Sequence, residues 1–82
     1  MEMHRVRYFL AVAKHLNFTR AAEQLRIAQP SLQRAVELFE DELGGPLFRR
    51  ERSNTYLTEL GRIMLPLLQA TFIAAEAAKS QA

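Results

Sequence analysis

The chain has 82 residues, 49% hydrophobic and 24% charged, with a net charge of +2 and no cysteine. That is room for one small domain burying about 60–65% of its unfolded surface, and it excludes disulfide frameworks, thiolate zinc sites and thiol redox chemistry. His4 and His15 lack the spacing of a helical metal pair, no apolar run approaches about 18 residues, and the N-terminus lacks a signal-peptide pattern, so the expectation is a soluble cytoplasmic chain with no membrane partner, metal or cofactor.

The first segment, about Glu2 to Leu16, carries Met3, Val6, Phe9, Leu10, Ala13 and Leu16 at spacings of three and four. This is one face of an amphipathic helix. Asn17 offers an N-cap for a second helix over Phe18 to Leu25, with Ala21, Ala22 and Leu25 as its apolar side. Arg26-Ile27-Ala28 has the length of a helix-turn-helix turn. Gln29-Pro30 opens a third helix, where the missing proline N–H costs nothing. Leu32, Ala35, Val36, Phe39 and Leu43 form its stripe, and Gly44-Gly45-Pro46 ends it. The acidic run Glu40, Asp41 and Glu42 points in successive directions around that helix and reads as a solvated face rather than a metal or acid–base site.

Leu47 to Leu57 reads as a short hairpin, with β-formers at Leu47-Phe48 and Thr55-Tyr56-Leu57 and turn chemistry at Ser53-Asn54. Thr58 caps the last helix. Leu60, Ile63, Met64, Leu67, Thr71, Ala74, Ala75 and Ala78 continue a helical face, which Leu65, Leu68, Phe72 and Ile73 widen. A terminal helix so apolar is expected to meet another chain, and Pro66 to bend it. Of the eleven cationic residues only Lys14 and Lys79 are lysines. The rest are arginines, suited to bidentate phosphate and guanine contacts. Arg49, Arg50 and Arg52 lie apart from the acidic run, a segregation that suits one face turned to an anionic partner.

The strings RYFLAVAKHLNFTRAAEQL, IAQPSLQRAVELFEDELG, PLFRR and LTELG occur in this order, separated by Arg26, Gly45 and residues 51–56. In that order and spacing the chain resembles, over essentially its whole length, the N-terminal DNA-binding domain of LysR-type transcriptional regulators. The resemblance implies a mainly α fold: a winged helix-turn-helix of three helices and a short two-stranded β wing over residues 1–58, then a linker or dimerisation helix over 59–82. It also implies double-stranded DNA as partner, antiparallel pairing of linker helices in a homodimer, and a tetramer in the full-length protein. The C-terminal effector-binding domain, where a small-molecule effector is expected, is absent from this chain.

The third helix, about 29–43, is then the recognition helix, with its N-terminal end nearest the bases. Arg34 suits guanine, Gln29 or Gln33 suits adenine, and the Pro30 ring suits a thymine methyl; Ser31 lies with Arg34 and Leu38 opposite the buried stripe. From the helix alone, Gln29-Pro30 as a simple helix start and Arg34 as a solvated charge are equally good readings. The resemblance favours base contacts by Gln29, Pro30, Ser31, Gln33 and Arg34. Thr19 and Arg20 suit phosphate at the second helix start, although Thr19 reads nearly as well as a local cap. Arg50, Arg52 and Asn54 suit the flanking backbone or minor groove. Ile63, Leu67, Leu68, Thr71, Phe72 and Ala75 are the expected dimer face.

The chain departs from the family pattern at several positions. Gln33 stands where Ser is common, and Ala28 where a Ser often caps the recognition helix. Glu37 and Leu38 replace residues that are often polar or basic, and the wing tip is less basic than usual. Two competing readings are a helical interaction or dimerisation module without specific DNA binding and an RNA-binding winged helix. The second lacks an aromatic platform for unpaired bases. No phosphate loop or nucleophile elbow supports an enzyme.

Overall fold

A computed structural model describes all 82 residues. The elements are α1 (Met3–His15), α2 (Phe18–Leu25), α3 (Gln29–Leu43), β1 (Phe48–Glu51), β2 (Asn54–Leu57) and α4 (Glu59–Gln81). β1 and β2 form one antiparallel ladder in which Phe48 faces Leu57 and Glu51 faces Asn54.

Several helix ends have a local cause. Asn17 accepts the Arg20 N–H at 2.8 Å and caps α2. Arg26 then turns left-handed, with φ 58°, and closes α2 onto the Ala22 and Glu23 carbonyls. α3 begins at Ala28 without a side-chain cap, as the sequence implies, and ends at Gly44 with φ 92°. Thr58 caps α4 by accepting the Gly61 N–H at 3.0 Å, while its own hydroxyl donates to the Pro46 carbonyl at 2.6 Å. One threonine therefore starts the long helix and ties it to the loop before the wing.

The core is built from Val6, Phe9 and Val12 of α1, Phe18, Ala21 and Ala22 of α2, Leu32, Val36 and Phe39 of α3, and Leu47 and Phe48 at the wing. Phe9 stands at its centre. Its ring lies 6.3 Å from Phe39 and 5.3 Å from Phe48, so one side chain joins α1, α3 and β1. Phe18 meets Phe48 edge-on at 5.7 Å.

Four sequence readings need correction. In α1, Ala11 and Val12 are buried, whereas Met3 and Leu16 are exposed. Leu16 takes the left-handed cap position after the helix, which swings it off the stripe. The hairpin turn is Arg52-Ser53 rather than Ser53-Asn54, because a two-residue loop with positive φ at Arg52 brings Asn54 into register with Glu51. Leu68 is 2% exposed in the core of its own chain, and so it does not belong to a free dimer face. Finally, α4 is long and apolar enough to cross a membrane by length and composition, contrary to the expectation. In this fold the same helix packs Leu68 and Phe72 onto the domain core.

Glu40 also has a role that the acidic run concealed. It is half-buried and accepts backbone N–H groups of Leu47 at 2.7 Å and Phe48 at 3.3 Å, anchoring the wing to α3. Glu42 instead pairs with Arg5 at 3.7 Å and with the N-terminal amine at 3.4 Å, while Asp41 is exposed. The three acids therefore serve different neighbours.

Candidate nucleic-acid interface

Three local choices bring the site together. The turn Arg26-Ile27-Ala28 sets the N-terminus of α3 beside that of α2, with Ile27 packed on the core as its hinge pin. The Glu40 anchor and Phe48 fix β1 against the helices. As a result a polar cleft of about 130 Å³ opens between α2, α3 and the wing, lined by Asn17, Thr19, Gln29, Arg50, Arg52 and Asn54 among others. The cleft gathers most of the residues expected to meet phosphate, although they come from three separate elements.

On α3, Gln29, Pro30, Ser31 and Arg34 are exposed on the first turns. Gln33 is half-buried and engaged. Its Oε1 accepts from Arg50 Nη2, and its Nε2 donates to Glu37 Oε2 at 3.3 Å. Arg50 stacks on Phe18, with its guanidinium carbon 3.6 Å from the ring centroid. It thus reaches back to α3 rather than projecting freely from the wing. Thr19 Oγ1 donates to Gln29 Oε1 at 3.1 Å. This bond ties the starts of α2 and α3 together, and it is not a local cap on α2.

Arg20 and Arg52 are exposed, as is Asn54. Arg49 faces the other side of the wing, 5.2 Å from the Tyr56 ring and 3.5 Å from Glu51. The sequence reading missed Phe18 as the platform for Arg50. It also missed the Gln33–Glu37 pair, although its i, i+4 spacing was legible.

On α4, Ile63, Leu67 and Thr71 are exposed and Ala75 is half-exposed. Phe72 is half-buried against the domain core, and Leu68 is wholly buried. The exposed hydrophobic set gains Ile73 instead, at 67% exposure.

Three helices, a tight turn inside the second pair and an arginine-bearing hairpin define a winged helix-turn-helix domain. Residues 3–62 match the family of bacterial regulatory helix-turn-helix proteins of the lysR type. The chain belongs to that family and is a LysR-type helix-turn-helix DNA-binding domain.

It is 51% identical over 63 residues to a probable cat1 operon transcriptional activator of Acinetobacter lwoffii, covering 77% of this chain and 21% of the relative. It is 44% identical over all 82 residues to the Hca operon transcriptional activator HcaR of Escherichia coli K12, or 28% of that protein. The chain thus spans about a quarter of the relatives' length. Among solved structures, the DNA-binding domain of BenM in complex with catB site 1 DNA superposes with a TM-score of 0.92. Its sequence is 33% identical, and the match covers 99% of this chain and 91% of that one. The superposed length includes α4, so that apolar helix has its counterpart in a domain solved on DNA rather than in a membrane span.

Proposed function

We propose that the chain reads duplex DNA sequence as a homodimer, within a cytoplasmic transcriptional regulator, at an interrupted inverted repeat. In this reading residues 1–58 hold the reading head and 59–82 set the spacing between two copies. The carrying observation is the exposure of Gln29, Pro30, Ser31 and Arg34 at the leading end of α3, beside the arginines of the wing. A helix presented this way suits the major groove. Base choice belongs to Gln29, Pro30, Ser31, Gln33 and Arg34. Thr19, Arg20, Arg50, Arg52 and Asn54 serve the backbone or the minor groove.

Ile63, Leu67, Thr71 and Ala75, with Phe72 at the edge, form the pairing face of α4. Tetramer formation and effector sensing belong to segments of the larger protein outside these residues. No catalytic role, cofactor or membrane attachment enters this reading.

Arg34 tests it. Arg34→Ala is expected to weaken binding to the preferred duplex by about 1–3 kcal/mol and to relax selection at one base position per half-site. Competition binding against single-base variants of the duplex measures both. Unchanged affinity and unchanged selectivity would remove Arg34 from the reading set.

A further inference from the structure

Gln33 is the one residue at the reading end of α3 whose amide is held at both atoms by other side chains. Its Oε1 accepts from Arg50 Nη2, and its Nε2 donates to Glu37 Oε2. A guanidinium only donates, and an ionised carboxylate only accepts. The opposite flip of the amide would set its NH2 against Arg50 and its oxygen against Glu37, which disfavours it at both ends. Arg50 is itself seated on Phe18, a residue only 5% exposed. The Arg50 arm of the clamp therefore rests on the core, while Glu37 reaches Gln33 along the exposed surface of α3.

A carboxamide so held is not used up. Its oxygen has a second lone pair and its nitrogen a second N–H. Together these match the exposed amine and N7 of adenine in the major groove, in one order only. A freely flipping glutamine would present either order, and it would also offer its NH2 to guanine acceptors.

We propose that Glu37 is a specificity-determining positioning residue: with Arg50 it fixes the Gln33 carboxamide in the orientation that selects adenine at one position of each half-site. This inference rests on the reading of α3 as the DNA-facing helix. It assigns Glu37 a use despite its charge, which by itself opposes phosphate. Removing Glu37 therefore has two separable effects: a general gain of affinity for every duplex, and a loss of discrimination at one position.

The experiment is duplex selection by the 82-residue chain, followed by competition among four duplexes that differ only at the position concerned. Gln33→Ala identifies that position by abolishing its preference. Glu37→Ala is expected to reduce the adenine preference there by about fivefold or more, on the scale of a lost bidentate contact. Preference at the Arg34 position is expected to stay intact. Glu37→Gln keeps an acceptor oxygen and is expected to retain the adenine preference, while removing the same charge as Glu37→Ala.

Glu37 is exposed, so both variants are expected to melt like the parent. An unchanged preference in Glu37→Ala, or a shift equal on all four duplexes, would overturn the proposal. So would a Gln33→Ala variant that alters no position. If the parent chain enriches no sequence at all, the DNA-reading proposal itself fails and this inference falls with it. Failure at Glu37 alone leaves that reading standing.

Discussion

Phe9→Ala is expected to lower the unfolding free energy by about 3–5 kcal/mol, most of what a small domain possesses. The reason is position as much as size. Phe9 is fully buried and touches the rings of Phe39 and Phe48, so its removal opens one void shared by α1, α3 and β1. The neighbours cannot collapse into that void without moving the recognition helix or the wing. Urea unfolding followed by circular dichroism measures the loss. Met3→Ala, on the same helix but exposed, provides the contrast and is expected to stay within about 0.5 kcal/mol of the parent. Equal effects at the two positions would contradict the packing described.

The second large effect has a sign that two arguments dispute. Gly61 lies in the first turn of α4, where helix propensity alone favours Gly61→Ala by about 1 kcal/mol. Yet a Cβ there would collide with the backbone oxygen of Leu47 and come within 2.9 Å of Leu57 Cδ2. Overpacking costs about 1–3 kcal/mol, and a backbone carbonyl cannot swing aside as a side chain does. Leu47 is also tied by the Glu40 carboxylate and by the Thr58 N–H at 3.0 Å. The steric term wins, and Gly61→Ala is expected to destabilise by up to about 2 kcal/mol net of propensity. A raised melting temperature in that variant would show that the close approach of α4 to the wing is overstated.

The helices were legible because each pairs one apolar stripe with a local start or stop. Leu32, Ala35, Val36, Phe39 and Leu43 describe the inner face of α3 without ambiguity, and Asn17 and Thr58 announce the caps that form. α4 was legible as a helix but not in its facing. Leu67 and Leu68 are adjacent in sequence, and apolar residues nearly encircle it, so no stripe says which leucine faces inward. Packing against α1 decides it, burying Leu68 and leaving Leu67 57% exposed.

The site was legible as a set of residues and less so as a set of contacts. The Thr19–Gln29 and Arg50–Gln33 bonds join residues ten and seventeen positions apart, and no periodicity encodes pairs at such distances. Glu40 could have been suspected: it follows Val36 by four residues and so lies at the edge of the buried stripe. That edge is where a carboxylate can reach the wing's backbone.

The most direct test of the account is selection of the 82-residue chain against a random duplex-DNA pool at near-physiological salt, with the retained fraction sequenced. The account predicts enrichment of an A·T-rich inverted repeat, with half-sites separated by the span between two α3 helices joined through α4. Retention without sequence preference would contradict base reading by α3 and leave only phosphate attraction. No retention at all would contradict the DNA-reading account and favour a helical interaction module built on α4.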